Sequence, residues 1–280
     1  MKGLTTRTLA CAIASAPFAL PAGAFEALSD IEMGEVTGQA GVTMEVSTAL
    51  TIDRVEYSQD TNGSVLVDDI RVGGFVDGPD SNVDFRILVD LEDSGDARIR
   101  LSPMDFAPVD AHVAFSAMGI AGDAGSATLI SDFDMRAWIT NFDIFARVED
   151  LDGNTGTSGS LDIETEFAIE NLDTSFDVAA VSLEGFRLAG EDSLETLRDE
   201  PYFPNVDSVR LATEGAALEF SVGAGAAISD GSTEALRLEI NPFVADVWMP
   251  TVNVGAESIG SIAIDNLTLA ETQMAIYGRQ

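Results

Sequence analysis

Apolar and polar residues alternate along most of this chain. Val83-Asp84-Phe85-Arg86-Ile87-Leu88-Val89-Asp90-Leu91-Glu92 sets five apolar side chains on one side and mostly charges on the other. Leu161-Asp162-Ile163-Glu164-Thr165-Glu166-Phe167-Ala168-Ile169-Glu170 does the same, with an acid at nearly every second position. Asp132 to Ala137 and Leu236 to Ile240 repeat the pattern. A period of two with one wet face predicts antiparallel strands packed on one side only. Turn chemistry separates the runs, at Asp60-Thr61-Asn62-Gly63, Asp77-Gly78-Pro79, Asp93-Ser94-Gly95-Asp96, Asp152-Gly153-Asn154 and Asp230-Gly231.

The alternation is interrupted in a regular way. Val65 to Val72, Val181 to Leu188 and Ile262 to Leu269 place apolar residues at i, i+2, i+5 and i+7, with Asp, Asn or Gly at the three-residue step. The same step occurs at Ile139-Thr140-Asn141-Phe142 and at Ile169-Glu170-Asn171-Leu172. Such a step keeps one face apolar only where the backbone bulges or bends. The units recur at uneven spacing, unlike the fixed period of a solenoid. The expected fold is all-β, a curved antiparallel sheet or a β-sandwich with bulged strands. An outer-membrane barrel also alternates, but it carries aromatic girdles, and this chain has 2 Trp and 3 Tyr. Helix is expected in two short places, Leu28 to Val36 and Ser193 to Glu200, the second ended by Pro201.

The first residues change the picture. Lys2 and Arg7 precede an Ala-rich apolar stretch from Leu9 to Leu20, and Ala22 and Ala24 fit a signal-peptidase site. The expected organisation is a signal peptide over 1–24, a short helical lead-in over 25–42 and a single elongated β domain over 43–280. Export to the periplasm, the outer-membrane surface or the medium follows. No segment reads as a transmembrane helix, which needs about 20 apolar residues. Cys11, the one cysteine, lies inside the leader, so neither disulfides nor thiolate metal sites are expected to staple the exported chain.

Charge narrows the partners. Without Lys2 and Arg7, 12 Arg face 48 Asp and Glu, a net charge of −36 with no lysine. Such a surface lacks the clustered cations that contact phosphates, so nucleic acid is excluded as a partner. A hydrophobic content of 46% nevertheless demands a core, since acidic disordered chains are poor in aliphatic residues.

Candidate chemistry is sparse. His112, the single histidine, sits in an alternating strand with no nucleophile motif nearby, and no phosphate-binding loop or His-based zinc spacing occurs. The expectation is a non-enzymatic protein without a cofactor, with calcium as the one candidate cation. Glu149, Asp150, Asp152 and Asn154 place oxygen ligands at mostly alternate positions in a turn, as hard cations prefer. The loop is not an EF-hand, because Thr155 stands where the glycine belongs and Leu161 where the closing Glu belongs. Leu28, Ile31, Met33 and Val36 form an apolar stripe suited to docking on a sheet edge or a partner.

The segment Leu28-Ser29-Asp30-Ile31-Glu32-Met33-Gly34-Glu35-Val36-Thr37-Gly38-Gln39-Ala40-Gly41-Val42 resembles the start of the FilA-like proteins, which are associated with a pilus system in Gram-negative bacteria. Ile262 to Leu267 with Ile276-Tyr277-Gly278 is similar in style to their endings. The resemblance implies a β-rich body after a signal peptide and a structural or assembly role in a pilus-like or adhesive surface system, with protein partners or self-association. The alternative is a periplasmic carrier of lipid or another apolar ligand on a greasy sheet face. The strand units also look like those of AsmA-type periplasmic lipid-handling proteins.

Overall fold

A computed structural model describes residues 41–58, 63–78, 81–104, 108–123, 125–199, 215–229 and 231–278. The expected helix at Leu28 to Val36 lies outside them. Alternation produces what it predicts: the described residues form fourteen strands of one antiparallel open sheet. The strands fall end to end into eight long rows of an up-and-down meander.

Row one is β1 (Val42–Thr48) and β2 (Leu50–Ser58). Row two is β3 (Ser64–Gly73) and β4 (Val83–Leu91), and row three is β5 (Ala97–Pro103) and β6 (Val109–Gly122). Rows four and five are single long strands, β7 (Gly125–Glu149) and β8 (Thr155–Phe176). Row six is β9 (Val181–Ala189) and β10 (Ala216–Ala226), row seven β11 (Glu234–Ile240) and β12 (Phe243–Val254), and row eight β13 (Glu257–Leu269) and β14 (Thr272–Ile276). β7 pairs β6 along its first half and β5 along its second, while β8 pairs β10 along its first half and β9 along its second. Two creases run across the rows where strands break or bulge.

The three-residue steps lie at these creases. Asp69, Asn266 and Gly185, one in each repeat, have left-handed backbones with φ of 53°, 55° and 74°, and Asp132 in β7 has φ 53°. Asp and Asn tolerate that region because their short polar side chains bond locally. At Gly185 a Cβ would also meet Pro250 Cγ at 2.9 Å, so space and backbone both require glycine there. Register shifts at Ile139/Asn141 and Ile169/Leu172 mark the other two steps as bulges.

Acids hold the creases together. The Asp173 carboxylate accepts the Gly185 N–H at 2.6 Å, and the Asp110 carboxylate accepts the N–H groups of Phe75 and Val76 at 2.7 and 2.8 Å. Fully buried Asp246 accepts three: Ser193 and Leu194 N–H at 2.8 and 2.9 Å, and Asn266 N–H at 2.6 Å. These acceptors satisfy backbone N–H groups that the bends and the start of the short helix leave without a ladder or intrahelical partner. The short helix α1 (Leu194–Asp199) starts on Asp246 and buries Leu197 against Ala168, Ala189 and Trp248.

Candidate functional site

Register assigns side chains to the two faces. Phe85 in β4 lies opposite Val46 in β1 and Pro103 in β5, and Ile87 lies opposite Met44 and Leu101. Leu101 continues to Phe142 and Ile99 to Ile144 in β7, and Ile144 faces Ile163 in β8. Ile163 pairs with Phe220 in β10, Phe220 with Ile240 in β11, and the same face ends at Met274 and Ile276 in β14. Beyond the creases it continues through Ile139, Phe167, Ile169, Leu188, Val247 and Ile264. One face of the sheet is thus apolar from edge to edge.

The opposite face carries the charges, paired across rows: Glu45 with Arg86 at 3.1 Å, Arg147 with Asp162, and Arg237 with Asp152 at 2.7 Å and with Glu239. Asp143 is nearly buried between Arg98 (2.8 Å) and Arg100 (3.0 Å). Burial pushes its pKa up, but the hydrogen bonds and charges of the two arginines outweigh this and hold it below the ordinary aspartate value. A lowered folded pKa contributes stability that is present above the unfolded value and lost as pH falls through the folded one. Asp143→Asn is therefore expected to cost about 1–2 kcal/mol at pH 7, discounted for the partly exposed arginines. It also weakens the acid-induced loss of stability, which urea titrations at pH 7 and pH 3 would check.

Among the described residues nothing forms a covering layer over the apolar face. Every described strand belongs to the one sheet, and α1 packs on the other face with Ala168 and Trp248. Apolar-face side chains are buried near the creases, as at Val83, Phe85, Val109, Leu188 and Val247. They are exposed toward the row ends and edges, with Leu91 at 80%, Ile276 at 57% and Met274 at 47%. Eight rows about 4.8 Å apart and about 20 strand residues long at about 3.3 Å rise give a sheet about 2,500 Å² in extent, exposed away from the creases. The largest apolar patch on a typical monomer is about 300–600 Å².

The charged face has its own interior. Trp138 stacks edge-on with Phe75 at 4.9 Å and donates its indole N–H to Glu170 Oε2 at 2.6 Å. Glu170 is fully buried and its Oε1 has no hydrogen-bond partner. Burial raises its pKa, and the Trp138 N–H with the charges of Arg136 and Arg187 offsets this only in part. A raised carboxyl pKa penalises the fold above the folded value, and the penalty disappears as pH falls toward the unfolded one. Glu170→Gln keeps an acceptor for Trp138 without the charge. It is expected to raise stability by about 1 kcal/mol at pH 7 and to match the parent below about pH 4. Denaturation followed by tryptophan fluorescence measures both.

His112 lies on this charged face, buried, with Nε2 3.2 Å from Asp134 Oδ2. That hydrogen bond is the main cause of the lowered Asp134 pKa. The pair joins β6 to β7, and no Ser or Cys nucleophile contacts it in the hydrogen bonds described.

The calcium candidates fall together in the β7–β8 turn. Asp150 Oδ1 accepts the N–H groups of Asp152 and Asn154 at 3.1 and 2.7 Å, and the Asn154 amide donates to both Asp150 oxygens. Asp152 accepts Ala226 N–H at 2.8 Å and Arg237 at 2.7 Å. Glu149 lies at the end of β7, in register with Thr155. The turn thus closes as an Asx turn, its aspartates bonded to protein donors. Among the described residues no group of three His, Cys, Asp or Glu side chains is placed to hold a metal ion. Calcium at about 1 mM, the range of weak extracellular modules, is expected to leave the melting temperature unchanged; a rise of several degrees in a thermal scan would contradict this.

Leu28, Ile31, Met33 and Val36 lie outside the described residues. Two features were not read from the sequence: the three-donor role of Asp246 and the buried Trp138–Glu170 pair. The second had a signal, since Trp138 falls on the polar side of an alternating strand. Among the described residues no helix is long and apolar enough to cross a membrane.

Residues 1–97 are similar to a family of unknown function (DUF6160). The match takes in row one and row two. No curated protein and no solved structure matches the chain.

Proposed function

We propose that this protein is an exported, non-enzymatic structural or assembly component of a pilus-like or adhesive surface system, whose apolar sheet face docks on another protein subunit. The observation that carries this reading is the apolar face that no described element covers, exposed toward the row ends and edges. A sheet with one apolar face must bury it against a second layer, and a stable interface needs only about 800 Å² per partner. The secretory leader and the FilA-like segment at Leu28 to Val42 support the same role. The acidic charged face keeps the subunit soluble until it docks.

Continuity of the apolar face across all eight rows also favours a second reading, a carrier of lipid or another apolar ligand. Cell fractionation with surface labelling, combined with lipid extraction of the purified protein, separates the two. An assembly component is labelled from outside and sediments with large surface structures. Recovery as a soluble periplasmic monomer with stoichiometric lipid would replace the assembly reading with the carrier.

A further inference from the structure

Resting on the assembly reading, we infer that copies of this chain add to one another edge to edge, row eight of one pairing with row one of the next. Among the described residues, row one pairs only with row two and row eight only with row seven. Each therefore presents unpaired backbone N–H and C=O groups along its length. Proteins that stay monomeric blunt such edges with lysine, proline or charges pointing inward. Neither edge carries a lysine, a proline or an inward charge, although row eight bulges at Asn266. β1, β2, β13 and β14 contain no proline and no lysine, and the apolar-face positions of both rows carry no charge. Of the charges that row one bears, Arg54 is paired with Asp68 and Glu45 with Arg86 within the same sheet, Glu56 is bonded to Ser58 and Ser64, and Asp53 lies off the apolar face.

The two edges are complementary. Leu50, Ile52, Val55 and Tyr57 in row one are spaced two, three and two residues apart. Ile262, Ile264, Leu267 and Leu269 in row eight have the same spacing. That spacing reads identically in both directions, so the sets stay matched when the rows run antiparallel. An even number of rows makes row one and row eight antiparallel, so a second copy shifted sideways without inversion offers the right strand direction. Its apolar face then lies on the same side as that of the first. Val55, Tyr57, Ile262, Leu267 and Leu269 are all exposed and available for cross-strand contact. The contact uses two different surfaces and leaves a free edge after each addition, the heterologous arrangement that grows filaments.

Cross-linking tests this in the full chain with Cys11→Ser as background. Ile52→Cys and Leu267→Cys are introduced together, then treated with a flexible bis-maleimide that tolerates small register differences. The double variant is expected to give a ladder of covalent multimers on a denaturing gel, and each single variant little product. Internally linked monomers alone would mean that the edges close within one chain, and would overturn the proposal. Sedimentation of the cysteine-free chain separates the remaining outcomes. Association without edge cross-links overturns edge addition and leaves the assembly reading; absence of association overturns both.

Discussion

Asp246→Ala is expected to destabilise the protein by about 3 kcal/mol or more, the largest single-site loss in the sheet. The carboxylate is fully buried and accepts N–H groups from Ser193, Leu194 and Asn266. Alanine leaves all three donors without an acceptor, and each buried orphan costs about 1–3 kcal/mol. Water entering the gap offsets part of this sum, hence the lower figure. The damage should be local in kind: Asn266 loses the bond that holds its left-handed turn, and α1 loses the anchor of its first residues. Asp246→Asn retains one acceptor oxygen and should recover part of the loss. Equilibrium urea denaturation of the three proteins measures it, and a loss below about 1 kcal/mol for alanine would show that the donors find other partners.

The second large effect concerns association rather than folding. Ile163 stands mid-row on the apolar face, in register with Ile144 and Phe220. In an isolated subunit a glutamate there can reach water, and the expected cost is about 1 kcal/mol, within the ordinary range for substitutions. In a docked subunit the same carboxylate is buried without a partner, which costs several kcal/mol. Ile163→Glu should therefore weaken association by about 100-fold or more while the melting temperature changes little. Size-exclusion chromatography with light scattering would show the loss of face-to-face association, while any edge-to-edge multimers persist. Unchanged association would mean that the face is not the interface.

Much of this fold was legible in the sequence, for a physical reason. A strand with one wet face writes its geometry into the chain as alternation, so Val83 to Leu91 and Leu161 to Ile169 appear where expected. The three-residue steps announced the creases, and Asp69, Gly185 and Asn266 take the left-handed backbone there. The helix expected at Ser193 to Glu200 is present as Leu194–Asp199. The β7–β8 turn at Asp150 to Asn154 also follows from local chemistry, because an Asx turn needs only neighbouring residues.

What stayed hidden depends on contacts distant in the chain. Nothing near Asp246 announces a bond to Ser193, which lies 53 positions away. Glu170 alternates onto the charged face like its neighbours, and only the fold brings it against Trp138, 32 residues away. A choice between one sheet and two was equally out of reach, since period-two patterning reports a covered face without saying what covers it. The pattern alone suits a second sheet of the same chain, yet every described strand joins the one sheet. The apolar face is the candidate site for that reason.

Sedimentation velocity of the purified, lipid-free full chain over a wide concentration series tests the central claim most directly. An apolar face that docks on protein predicts association that deepens with concentration and strengthens with salt, which screens the repulsion between acidic subunits. A single monomeric species at every concentration would contradict it.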